Sequence, residues 1–181
     1  MHFEKISREQ WTKDVLDIAR VDKPTKEELE KINTIYENIK IPHRATKHSA
    51  GIDFFMPDNI IIPMEGYGLI PTGVRWVCDK EEDKDKVLQI YPRSGMGFRT
   101  GIRLANTVGI IDADYYNADN EGHIMIKMYN PLGLHTTPTG NIQLKAGEAF
   151  AQGIITKFYT CDEDEVEEER TGGFGSTDKE K

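Results

Sequence analysis

The chain reads as a mainly β protein with an added helical segment at its N-terminus, and three observations carry that reading. From about residue 39 onward, short apolar runs, several of them alternating with polar residues, are punctuated by Gly, Pro, Asn and Asp, the pattern of strands joined by tight turns. Before residue 39 the apolar residues recur at helical spacing instead. After residue 160 the composition turns to carboxylates and then to glycine, which fits neither element. The chain therefore divides into 1–38, an N-terminal strand and helical extension; 39–160, a β core; and 161–181, an acidic linker and a glycine-rich C-terminal tail.

The elements follow in order. In SREQWTKDVLDIAR, Trp11, Val15, Leu16 and Ile18 fall close to one helical face. A second helix opens at TKEELEKINTIYENI, where Thr25 and Glu28 stand at capping-box spacing, and Pro24 marks the break between the two. VLQIYP and HIMIKMYN alternate or nearly alternate, and NIIIP, YGLIPTGVRWVC and FAQGIITKFY read as further strands. Many short strands at close spacing imply a sandwich, jelly roll or barrel.

A length of 181 residues suits one domain with a sizeable core. The net charge of -8 argues against general nucleic-acid binding, which needs a basic face, but leaves room for a nucleotide at a local basic site. Cys78 and Cys161 match no metal-ligand spacing and are expected as free thiols. MHFEKISREQ lacks the apolar centre of a signal peptide and no apolar run is long enough to span a bilayer, so a cytoplasmic protein with no membrane partner is expected. The five histidines are scattered, and all are expected at the surface or in turns.

Several segments are more polar and richer in glycine than ordinary strand ends. HSAGIDFF sets Asp53 between small residues and an apolar run. YPRSGMGFRTG presents Arg93, Ser94 and the unhindered backbone of Gly95, which together are either a plain turn or a phosphate cradle of guanidinium, hydroxyl and amide donors. Asp112 and Asp114 in LANTVGIIDADYYNADNEGHIMI stand at strand spacing; such a pair can hold two metals, supply one general base beside a structural partner, or cap a strand end. In RTGGFGSTDKEK one ring, Phe174, stands among glycines, either as an incidental hydrophobe in a loose tail or as the stacking group of a mobile lid.

Five segments taken in order, AGIDF (50–54), PRSGMG (92–97), NTVGIIDADY (106–115), GEAFAQGI (147–154) and RTGGFGST (170–177), resemble the trimeric dUTPase family. The resemblance covers roughly residues 39–178 and implies a dUTPase-like jelly-roll β-barrel, three copies of which assemble with sites built from several chains. It implies hydrolysis of dUTP to dUMP and pyrophosphate, with Asp112 as the general base that activates water for attack on the α-phosphorus and Asp114 as a structural group. Asn106 and the backbone after it, with Ile111, would read the uracil edge, Tyr115 would pack under the deoxyribose, and Asp53 would support the base and sugar region.

By the same resemblance Arg93, Ser94, Gly95 and Gln152 would hold the phosphates. Arg170 would reach the far end of the phosphate chain, and Phe174, with Gly175 and Ser176 beside it, would close over the uracil. Mg²⁺ would bridge phosphate oxygens largely through its own waters, so no protein cage is expected.

Three features depart from the family pattern. Arg170 precedes Phe174 by four residues where relatives usually have five. Six residues, YNADNE, separate Tyr115 from Gly122 where one is usual, and a polar loop protruding at the site rim is expected there. The N-terminal helices are an addition to the core fold. The alternatives are a dCTP deaminase-type or bifunctional enzyme, which shares the fold, and a nucleotide-gated regulatory binding protein.

Overall fold

A computed structural model describes residues 1–131, 139–164 and 166. Arg170, Phe174, Gly175, Ser176 and His135 lie outside the described residues. The strands are β1 (His2–Lys5), β2 (His43–Arg44), β3 (Ile52–Phe55), β4 (Ile60–Ile62), β5 (Tyr67–Pro71), β6 (Val74–Val77), β7 (Lys86–Pro92), β8 (Arg103–Leu104), β9 (Gly109–Asp112), β10 (Met125–Tyr129), β11 (Ile142–Leu144) and β12 (Ala149–Lys157). Helices α1 (Arg8–Ala19) and α2 (Lys26–Glu37) precede most of them, and a short α3 (Ser94–Thr100) follows β7.

The fold is mainly β. A five-stranded sheet runs β2-β3-β12-β7-β9, a three-stranded one β5-β10-β8, and two pairs join β1 to β6 and β11 to β4. All the pairings are antiparallel, and each sheet is open. Along β7, Leu88 and Ile90 are buried while Val87, Gln89 and Tyr91 are half-exposed, so the alternation legible in VLQIYP sets which face meets the core. YGLIPTGVRWVC is two strands rather than one. The chain turns at Thr72–Gly73, and β5 pairs with β10 while β6 pairs with β1.

The N-terminal segment shares its core with the sheets. Ser7 caps α1, accepting from the Gln10 amide at 3.1 Å, and Thr25 and Glu28 form the expected capping box on α2. Trp11 is buried and donates its indole N–H to the Ile32 carbonyl at 3.1 Å, which ties the two helices together. Ile6, Trp11, Ile32 and Ile39 belong to the same apolar cluster as Phe54, Trp76 and Leu88. Each such side chain contributes about 1.5–3 kcal/mol on burial.

Two sequence expectations change here. PRSGMGFRTG folds as a seven-residue helix after Arg93, although its glycines weaken helix propensity. His123 is fully buried, where every histidine was expected at the surface or in a turn. Its ring is held by polar partners that a single sequence does not display.

Both cysteines are free, and they differ sharply in setting. Cys78 is buried, and that burial, with Asp83 nearby, raises its thiol to about 11, whereas Cys161 is exposed. At pH 8 about one Cys78 in a thousand is then the reactive thiolate. A thiol-titrating reagent applied at that pH should count one fast sulfur in the folded protein and two after denaturation. Two fast sulfurs in the folded protein would contradict the burial.

Candidate active site

The two described segments expected to hold phosphates, those of Arg93 and Gln152, meet the Asp53 segment at one end of the five-stranded sheet. Asp53 on β3 lies opposite Gln152 on β12, which lies opposite Tyr91 on β7, so three strands deliver side chains to one face. The Arg93 guanidinium stands 3.5 Å from the carboxylate of Asp53, itself almost buried. Gln152 donates to the Pro92 carbonyl at 3.3 Å, next to Arg93. A side chain at Gly51 would reach within 2.7 Å of the Gln152 Oε1, so the glycine leaves room for that amide.

A β-bulge aims the arginine. The β12–β3 register shifts between Ala149 and Ala151, and the Phe150 carbonyl in the bulge accepts the Arg93 amide at 3.1 Å. Arg93 keeps extended backbone and α3 starts immediately after it, which leaves the amides of Ser94 and Gly95 in the first turn, where a helix offers them no acceptor. A Cβ at Gly95 would meet nothing within 4 Å, so the backbone there is open to an approaching group. A cation, an amide and free N–H donors on one face suit phosphate oxygens.

A second region lies at the turn between β8 and β9, which belong to different sheets. A cavity of about 410 Å³ has apolar walls that include Leu69, Leu104, Ile111 and Ile126, with Asn106 and Lys127 as its polar side chains. Thr107, a β-branched residue, takes the left-handed conformation at φ 70°, and its amide is held by the Leu104 carbonyl at 3.1 Å. This strained turn places Asn106 at the cavity wall. Apolar walls with an amide at the rim suit a nucleobase.

Asp112 ends β9 and Asp114 opens a single 3₁₀ turn, Tyr115–Asn117; both are exposed while Ala113 between them is buried. Tyr115 is 5% exposed in the single chain. Its hydroxyl donates to the His123 carbonyl at 3.2 Å and accepts from Asn120 at 3.0 Å. The segment after Tyr115 does not protrude as expected: Asn117 and Asp119 are exposed, but Ala118 is buried and Glu121 turns back to bind Ser7.

Asp112 and the Arg93 cluster lie at opposite ends of one strand, with the cavity walled by Ile90, Gly109 and Ile111 alongside its middle. Asp112 pairs with Val87 at the start of β7, whereas Arg93 follows its last residue. Six residues of extended chain separate them, or about 20 Å. Asp53 sits with Arg93 and not with the cavity, three strands from β9, although the sequence reading put it near the base and sugar. Asp14, Gln10 and His123, all buried polar residues near Tyr115, were missed. One signal was available: Asp14 falls on the same helical face as Trp11, Val15 and Ile18.

Fold and site together define a mainly β protein with a donor cluster suited to phosphate at the end of one sheet and an apolar cavity beside it. The dUTPase family model matches residues 37–178. The chain is 40% identical to the deoxyuridine 5'-triphosphate nucleotidohydrolase of Lactococcus lactis over 149 residues, 80% of this chain and 93% of that protein. It is 31% identical to the enzyme of the same name from Wolinella succinogenes over 80% of this chain and 91% of that one. The crystal structure of dUTPase from Streptococcus mutans superposes with a TM-score of 0.61 at 31% identity, covering 90% of this chain and 99% of that chain. The chain belongs to the dUTPase family.

Proposed function

We propose that this chain hydrolyses dUTP to dUMP and pyrophosphate by attack of water on the α-phosphorus, with Asp112 as the general base. The observation that carries the assignment of roles is the division of the site along β7, with Asp53, Arg93 and Gln152 at one end, Asp112 at the other, and the cavity walled by Ile90, Gly109 and Ile111 alongside its middle. Hydrolysis of a phosphoanhydride depends on positioning, charge neutralisation and an aligned water, and these two clusters offer those functions without a covalent nucleophile. Asp112 is exposed at a strand end, where it can hold a water and take its proton.

In this reading the uracil enters the cavity, Asn106 and Ile111 meet its edge, and Tyr115 walls off the sugar. Arg93, the hydroxyl of Ser94, the amides of Ser94 and Gly95, and Gln152 hold the phosphates. Arg170, Phe174, Gly175 and Ser176 close the tail over the bound nucleotide. Asp53 fixes the guanidinium of Arg93 through their ion pair.

Magnesium would be held by the substrate's phosphate oxygens and by water. The described residues include no group of three or more His, Cys, Asp or Glu side chains suited to a metal, and Mg²⁺ needs none where phosphate oxygens and water complete its octahedron. When bound, the ion neutralises charge on the phosphate chain.

The separation of about 20 Å between Asp112 and Arg93 favours a site shared between chains, and the family likeness supports three of them. A reacting water stands about 3–3.5 Å from its phosphorus, which covers little of that distance. A closed three-fold assembly joins the Asp112 end of one chain to the Arg93 end of another. The family likeness supports a jelly-roll barrel as the unit that assembles.

The test is product analysis with dUTP and, separately, dCTP in the presence of Mg²⁺. Pyrophosphate and dUMP from dUTP, with no ammonia from dCTP, are expected. Ammonia from dCTP, or tight dUTP binding without any product, would overturn the assignment.

A further inference from the structure

The N-terminal helix reaches Tyr115 through a buried polar chain that the hydrolytic reaction does not itself need. Asp14 on α1 lies 2.6 Å from Nδ1 of His123, and its other oxygen accepts from Gln10 at 2.8 Å. The Gly73 amide donates to Nε2 of the same ring at 2.8 Å. That nitrogen therefore presents its lone pair, and Nδ1 carries the proton donated to Asp14. His123 is fully buried and Asp14 and Gln10 nearly so, in a core otherwise lined by Trp11, Ile39 and their neighbours.

The chain continues from His123 to the phenol. Its carbonyl accepts the Tyr115 hydroxyl, and Asn120 donates to that hydroxyl while its own Oδ1 accepts the Gly122 amide at 3.2 Å. Gly122 has φ 71°, and a Cβ there would lie 2.4 Å from the Tyr116 backbone, so the turn closes in one way only. Glu121 adds a second tie to the N-terminal segment, accepting from the Ser7 amide at 2.7 Å and the Ser7 hydroxyl at 2.6 Å. The helical addition and the six extra residues after Tyr115 are thus two halves of one contact.

Burying polar groups in an apolar core is costly unless every partner is in place, and a satisfied network holds its members in a single geometry. A wall that excludes one hydroxyl discriminates only as far as it cannot yield. We propose that α1 braces Tyr115 through Asp14 and His123, so that Asp14, His123 and Asn120 are positioning residues for rejection of the ribose 2'-hydroxyl. This rests on the reading of Tyr115 as the sugar wall.

The experiment compares kcat/KM for dUTP with that for UTP, by pyrophosphate release in Mg²⁺, in the full-length protein. The variants are Asp14→Ala, Asp14→Asn, Asn120→Ala and Tyr115→Ala, with a melting temperature for each. Asp14→Ala and Asn120→Ala should each lower the dUTP-to-UTP ratio about tenfold, and Asp14→Asn, whose amide oxygen still accepts from His123, should keep most of it. A ratio within about twofold of the parent in Asp14→Ala and Asn120→Ala, whatever their melting temperatures, makes the contact merely structural and overturns the brace. Where Asp14→Ala fails to fold, Asn120→Ala, on the half-exposed turn, decides. If Tyr115→Ala alone lowers the ratio, the brace fails and the sugar wall stands; if Tyr115→Ala leaves it unchanged, the wall fails and the brace falls with it.

Discussion

Asp112→Asn lowers kcat for dUTP by a factor of about 10² to 10⁴ while KM stays within about threefold of the parent. The amide keeps the size and shape of the carboxylate but does not accept the proton of the attacking water. Asp112 is exposed at the end of β9, and its backbone is fixed by the pairing with Val87 and by the buried Ala113 beside it. The substitution therefore leaves the fold and the melting temperature essentially in place. Steady-state kinetics, with binding of a non-hydrolysable dUTP analogue measured alongside, separates the two effects. Turnover near that of the parent removes Asp112 from the role of base. A loss of analogue binding equal to the loss of turnover would make Asp112 a binding group instead.

Much of the candidate site was legible because its parts are short and local. Asp53, Arg93, Asn106, Asp112 and Gln152 each stand in a segment whose glycines and polar residues break the alternation of the strands around it. The order of five such segments pointed to the family when no single one did. The strands were legible for a similar reason: VLQIYP declares its inner face by alternation alone. What failed was local where competing signals overlapped. Gly95 and Gly97 argued against the helix that Ser94–Thr100 adopts, and its packing outweighs their propensity.

The longer-range relations were not legible at all. Asp14 and His123 are separated by 109 residues, and nothing in either neighbourhood names the other. The same holds for Ser7 and Glu121, so the insertion after Tyr115 looked like a free polar loop when it is a docking segment for the extension. Asp53 and Arg93 could be placed together only once β12 was seen to lie between β3 and β7. Pairing partners of this kind depend on register across the sheet, which a single strand's pattern does not specify.

Register also yields the second large effect. Chains carrying Asp112→Asn and chains carrying Arg93→Ala should each be nearly inactive as homotrimers, the first for want of a base and the second for want of the guanidinium that neutralises the phosphates. Within one chain these residues stand about 20 Å apart along β7, so under the proposed mechanism a site that uses both would draw them from two chains. An Arg93→Ala chain still offers a sound Asp112, and an Asp112→Asn neighbour still offers a sound Arg93. With random mixing at equal amounts, about a quarter of the sites combine the two. Co-expression of the variants under different affinity tags, followed by purification through both tags, should therefore return dUTP hydrolysis far above either parent. The same mixture made after folding, without subunit exchange, should stay as inactive as its components. If doubly tagged assemblies are recovered and remain inactive, each site takes its base and its guanidinium from the same chain, and the division of labour along β7 is wrong.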